Sequence, residues 1–171
     1  YRGMDTMTLA SEVHAEAWKY RADAIFVDGG GMGAGVVDRL EQLQLPPGCV
    51  LYEVNFGGKA VASGKYETVA CANKSAQMWW EMGQWCLRGA LPDEQEIEDD
   101  LCGREYGYNM NSQILLEKKE DMKKRGLSSP DNGDALALTF ALPVAPKAML
   151  AQQEEIRAQR QATNRNKATG Y

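Results

Sequence analysis

Apolar positions fall along this chain in two rhythms, and the alternation between them predicts the elements. Leu9, Val13, Ala17 and Tyr20 recur at helical spacing between Thr6 and Arg21, with Thr6 or Asp5 as the cap. Ala24-Ile-Phe-Val-Asp28 is a short β-favouring run that ends in a carboxylate, and Gly29-Gly-Gly-Met-Gly-Ala-Gly35 follows as a tight turn. Val36, Val37, Leu40 and Leu43 return to helical spacing, predicting a helix from about Gly33 to Gln44 that Leu45-Pro46-Pro47-Gly48 stops. Val50-Leu-Tyr-Glu-Val54 is then a second strand, parallel to the first because a helix connects them. Strand, turn, helix and strand form a βαβ unit, which places its chemistry at the carboxyl ends of the strands. Asp28 stands at that edge.

The remainder reads as helices around one hairpin. Residues 55–68 are glycine-punctuated and predict an extended loop. A long helix is expected over Val69 to Arg88, with Ala72, Ala76, Trp79, Gly83 and Cys86 as its inner stripe and Gly89 as its cap. Trp79, Trp80 and Trp85 read as packing residues rather than a base-stacking platform. Pro92 to Leu101 is a short acidic helix that buries Ile97 and Leu101. Arg104 to Asn109 and Gln113 to Leu116 are strands around an Asn109–Ser112 turn. Glu117 to Arg125 is a basic helical turn that Gly126 ends. Ser129-Pro130 starts the last helix, serine as cap and proline at the first helical position, and it runs to Pro143. Residues 146–171 are expected to be a polar tail beyond a domain spanning 1–145.

Composition narrows the function classes. The 171 residues are enough for one domain with a real core, and 44% hydrophobic with 25% charged residues fits an ordinary globular protein. No apolar run approaches the ~18 residues of a membrane span, and no basic flank precedes an apolar core, so neither membrane nor signal peptide is expected. A chain opening on Tyr1 reads as a piece of something longer. Cys49, Cys71, Cys86 and Cys102 lack C-x-x-C pairing, which argues against zinc. His14 is the only histidine, so schemes needing a catalytic histidine lose their base. Chemistry must rest on carboxylates, lysines or bound metal. The net charge of −5 does not advertise a nucleic-acid binder, but the charge is unevenly spread.

A carboxylate ending a buried strand needs a positive partner, and a divalent metal is the economical one. Oxygen-only ligation suits magnesium or manganese. The plainer reading is that Asp28 caps the glycine turn. The glycines offer another: Gly29-x-Gly31-x-x-Ala34, with Glu53 ending the next strand, fits a Rossmann-like nucleotide-binding fingerprint. Against it, Asp28 would face the pyrophosphate with like charge. Asp131 and Asp134 lie three apart at the start of the last helix, either as metal ligands on one face or as acids favoured by the helix dipole. Leu136, Leu138 and Phe140 make that helix a core element. Lys118, Lys119, Lys123, Lys124 and Arg125 put five cations into eight residues, either along a DNA backbone or as a solvated face. The six acids of Asp93 to Asp100 lack the glycine of a calcium loop and read as a solvated face.

In order and spacing these segments resemble the C-terminal nuclease domain of the large terminase subunit of tailed bacteriophages. The resemblance is carried by Arg2-Gly-Met-Asp-Thr6, Phe26-Val-Asp28, Gly31-Met-Gly-Ala-Gly-Val-Val-Asp-Arg-Leu40 and Val54-Asn-Phe-Gly57. It continues through Asn73, Ala76-x-Met78, Leu115-Leu-Glu-Lys118, Asp121-Met-Lys-Lys-Arg-Gly126, Ser129-Pro-Asp-Asn-Gly-Asp-Ala-Leu136 and Leu138-Thr-Phe-Ala141. It implies an α/β, ribonuclease H-like mixed sheet flanked by helices, in which three acids hold two divalent metals for cutting concatemeric viral DNA. Asp28 matches the acid ending the family's fourth strand, and Asp134 or Asp131 the last acid, with Asp134 slightly favoured. The expected partners are double-stranded viral DNA, the small terminase subunit and the portal, in the host cytoplasm. Three departures stand out. The first strands of the fold, with the first acid, should precede Arg2, and no G-x-x-x-x-G-K-S/T of a packaging ATPase is present. Lys74 stands where the family has arginine. The chain is therefore expected to be an incomplete metal-dependent endonuclease module, weak or inactive alone. The alternatives are a Rossmann-like module using Gly29, Gly31 and Glu53, or an inert fragment keeping the fold without its chemistry.

Overall fold

A computed structural model describes residues 3–61 and 69–146. The expected tail beyond 146 and the end of the 55–68 loop lie outside the described residues. Ten elements follow in order: α1 (Thr6–Tyr20), β1 (Ala24–Asp28), α2 (Gly33–Gln42), β2 (Val50–Val54), α3 (Lys74–Cys86), α4 (Gln95–Gly103), β3 (Tyr106–Tyr108), β4 (Ile114–Leu116), α5 (Lys119–Lys124) and α6 (Asp131–Leu138).

β1 and β2 pair in parallel, Ala24 opposite Val50 through Asp28 opposite Val54, as the connecting helix requires. Side chains then alternate between two cores. Ile25, Val27 and Leu51 turn towards α1 and α2, joining Ala10, Ala17, Val36 and Leu40. Phe26 and Val54 turn the other way, towards Met78, Trp79 and Met82 of α3 and Ala137 of α6. The sheet is thus covered by helices on both faces. β3 and β4 form a separate antiparallel hairpin, and Cys71 bridges to Ile114 on the other side of β4.

The α1 cap is Asp5, whose Oδ1 accepts from the backbone N–H groups of Met7 and Thr8, both at 2.9 Å. Tyr20, placed by spacing on the inner face, is 70% exposed; Ala10 is buried in its stead. The third helix starts at Lys74 rather than at 69. Ala70 and Ala72 are taken up in backbone hydrogen bonds with Ile114, and Asn73 caps the helix through Ala76 N–H. Its buried face is consequently Ser75, Ala76, Gln77, Met78, Trp79 and Met82, while Gly83 is exposed. The last helix begins at Asp131 with Pro130 buried at its N-cap and ends at Leu138, well short of Pro143. None of the helices in the described residues is long and apolar enough to cross a membrane.

Candidate functional site

The Gly29–Gly33 turn is built for close backbone packing. A Cβ at Gly33 would lie 1.7 Å from the Asp28 carbonyl oxygen, and Gly31 has φ +60°. Its N–H groups bond inward: Gly29 to Val54 O at 2.9 Å, Gly30 to Asp28 Oδ1 at 3.1 Å and Gly33 to Gly30 O at 3.1 Å. Asp28 therefore does cap the turn, with one oxygen, and its side chain remains exposed beyond the strand. These bonds take up three of the turn's N–H donors, those of Gly29, Gly30 and Gly33, for which a pyrophosphate would have to compete.

Across from Asp28 stands the first turn of α6. Asp28, Asp131 and Asp134 line one cavity of about 400 Å³ together with Ser75, Arg104, Lys119 and Phe56. The two sequence-distant carboxylate segments, strand end and helix start, are thus brought together. Asp134 is the enclosed one, with its side chain 12% exposed. Its Oδ1 accepts from Trp79 Nε1 at 2.8 Å and from Arg104 Nη1 at 2.9 Å, and its Oδ2 pairs with Lys119 Nζ at 2.7 Å. Asp131 is exposed on the preceding turn of the chain.

Arg104 is itself 8% exposed. Its Nε donates to Glu117 O at 3.3 Å, and its guanidinium lies 5.0 Å from the Trp79 ring centroid. Burial pulls Arg104 below its ordinary pKa, while Asp134 and Glu117 pull it back up. It stays charged, as guanidinium does in proteins.

The basic run divides by role. Lys119 faces the cavity, Lys123 is exposed on α5, and Lys118 is exposed at its N-cap. Lys124 pairs with Asp121 at 2.6 Å. Arg125 is held by Glu117 through Nε and Nη2, and by Gly103 O at 2.8 Å. These bonds hold the Glu117 carboxyl below the usual carboxylate range and raise Arg125. Arg125 thus braces the hairpin to α5, a placement that a count of charges could not reveal.

Trp79, Arg104, Glu117 and Asp100 were not singled out as site residues from sequence. Asp100 Oδ2 accepts from Asn132 N–H at 2.7 Å and Gly133 N–H at 3.2 Å, supplying the cap that Ser129 was expected to give. Nothing local in the sequence marks such a cap 32 residues away.

Three carboxylates offer the hard oxygen donors that magnesium, manganese or calcium prefer. The chemistry fits such an ion, while the count is short. Among the described residues no group of three His, Cys, Asp or Glu side chains lies close enough to hold one. Lys119 and Arg104 also occupy Asp134.

A βαβ unit with acids gathered beyond its first strand, backed by an enclosed arginine and a half-exposed lysine, defines an α/β domain with an acid-lined cleft. The same fold occurs in the nuclease domain of the large terminase subunit gp2 of bacterial virus Sf6, at TM-score 0.68 and 20% identity over 82% of this chain and 74% of that one. A point mutant of that domain with manganese and beta-thujaplicinol matches at 0.68 and 19%, over 84% and 75%. A calcium-containing form matches at 0.67 and 20%, over 82% and 74%. No family model and no curated protein matches the sequence. The likeness establishes a shared fold, and it falls on the family that the sequence motifs resemble.

Proposed function

We propose that this chain is the nuclease module of a viral DNA-packaging terminase, a metal-dependent endonuclease that cuts concatemeric genome DNA. The observation that carries the reading is the meeting of Asp28 with the Asp131–Asp134 turn in one cavity. The fold shared with a terminase nuclease domain that has been seen with manganese supports it.

In this reading Asp28 and Asp134, with Asp131 beside them, hold Mg2+ or Mn2+. A pair of such ions, held by these residues, would supply an activated water and a charge clamp on the scissile phosphate. Lys119 neutralises Asp134 Oδ2 and would have to leave that oxygen for a cation to reach it. Trp79 and Arg104 fix the Asp134 carboxylate through Oδ1. Lys118, Lys123 and Lys124 lie along the DNA. Arg125 contributes from its pair with Glu117, as a brace first and a phosphate contact second.

In this reading the fold over 1–145 is ribonuclease H-like, and a further strand of such a sheet would pair along the outer edge of β1. Val50 N–H bonds Asp23 O and Gly29 N–H bonds Val54 O, so Ala24, Phe26 and Asp28 turn their backbone groups away from β2. Among the described residues β1 pairs with β2 alone. The small terminase subunit and the portal are the expected partners, in the host cytoplasm.

Plasmid nicking tests the reading. The full chain is expected to bind Mn2+ and to show at most weak, Mn2+-dependent nicking of supercoiled DNA, both lost in Asp28→Ala. Nicking that persists in Asp28→Ala contradicts it, and stabilisation by NAD without metal would favour the nucleotide-binding alternative.

A further inference from the structure

α6 has to present two aspartates from its first turn, yet its own N-cap side chain offers nothing to hold that turn. The Pro130 carbonyl accepts from Asp134 N–H at 2.8 Å, but its side chain has no acceptor and no side chain of the N-cap bonds the helix. The N–H groups of the second and third helical positions, Asn132 and Gly133, are those an N-cap side chain ordinarily satisfies. Here a single oxygen of Asp100, reaching across from α4, accepts both.

From this juxtaposition we infer that Asp100 is a positioning residue for the acid cluster: its carboxylate, capping α6 from α4, sets where Asp131 and Asp134 stand relative to Asp28. The inference rests on the reading of α6 as the carrier of metal ligands.

Two observations show why the turn needs an external hold. Gly133, between the two aspartates, is packed so closely under Trp79 that a Cβ there would lie 2.7 Å from Trp79 Cη2, and 3.5 Å from Asp100 Cβ. The turn is therefore clasped between α3 and α4, the indole on one side and the carboxylate on the other. Asp134 is bonded by Trp79 itself, so a shift of the turn relative to α3 changes the reach of Asp134 towards Asp28. Asp100 acts through the backbone of residues 132 and 133 and does not line the acid-bearing cavity. Its contribution is geometric, with the added field of one negative charge at the helix start.

Charge and geometry separate experimentally, because one carbonyl oxygen can accept the same two hydrogen bonds. Asp100→Asn keeps the acceptor and drops the charge; Asp100→Ala drops both. Mn2+ binding to the full chain is measured by titration for the wild type and both variants, with amide hydrogen exchange at residues 132 and 133 followed in parallel. The expected result is an affinity about 10-fold weaker for Asp100→Ala, with faster exchange at both amides. In Asp100→Asn both return close to wild type. Wild-type affinity in Asp100→Ala overturns the inference while leaving the metal reading intact. Equal weakening in both variants shows that charge, not placement, is at work and also overturns it. A wild type that binds no Mn2+ removes the metal reading itself, and the inference with it. Should Asp100→Ala fail to fold, Asp100→Asn alone decides: near wild-type affinity and exchange support the positioning role, and a 10-fold loss contradicts it.

Discussion

Trp79 Nε1 donates a 2.8 Å hydrogen bond to Asp134 Oδ1 across 55 residues of sequence. The bond ties the buried face of α3 to the acid-bearing turn of α6. Replacing the indole by a phenyl ring keeps most of the packing and removes the donor. Trp79→Phe should lower stability by about 2 kcal/mol, read as a shift of the urea midpoint with unchanged slope.

Arg104 is the deeper half of the same arrangement. It and Asp134 are each nearly enclosed, so removing one leaves the other short of a partner in a poorly solvated place. Arg104→Met should cost about 3 kcal/mol by urea unfolding. Arg104→Lys should recover only part, because a point charge cannot reach Asp134 and the Glu117 carbonyl in one plane.

Gly133 leaves no room for a side chain. The Cβ of Gly133→Ala would meet the Trp79 ring at 2.7 Å, and the indole can yield only by giving up its place over α6. A loss of about 1–3 kcal/mol is expected. Trp79 fluorescence would be a poor reporter among four tryptophans, so chemical denaturation followed by circular dichroism is the suitable measurement.

Glu117 gives the acid limb of stability. Arg125, as hydrogen-bond donor, holds its carboxyl below the ordinary range. Because the folded pKa lies under the unfolded one, the contribution is complete above the unfolded value and is lost as pH falls through the folded one. Unfolding midpoints should therefore drop as pH falls through and below the ordinary glutamate range, and Glu117→Gln should flatten that drop while lowering stability at neutral pH.

The elements set by local pattern were legible in the sequence. Both strands of the βαβ unit and their parallel pairing fall where alternation and the connecting helix put them, at Ala24–Asp28 and Val50–Val54. So does the hairpin around Asn109–Ser112, although its strands are shorter than the run of apolar residues. What escaped was set by contacts distant in sequence. Residues 70–72 have helical composition and are extended because Ile114 takes their backbone groups. The last helix is capped by Asp100 rather than by Ser129, and no periodicity carries that information. That Asp28 would meet the Asp131–Asp134 segment was legible from one carboxylate ending a strand and two opening a late helix, and the three line one cavity. Their neutralising partners were not: Arg104 reads as one residue of a strand, and Lys119 as one of five cations. Arg125, equal to Lys119 in a charge count, turns out to be committed to Glu117.

If Asp28 and Asp134 share a divalent cation, Mn2+ titration of the full chain, followed by paramagnetic resonance of the free ion, should show it in the wild type, Asp28→Asn, Asp134→Asn and the double variant. Binding should be saturable in the wild type, weaken at least about 10-fold in each single variant and weaken no further in the double one. Binding of equal strength in all four proteins, or weakening in only one of the two single variants, would contradict it.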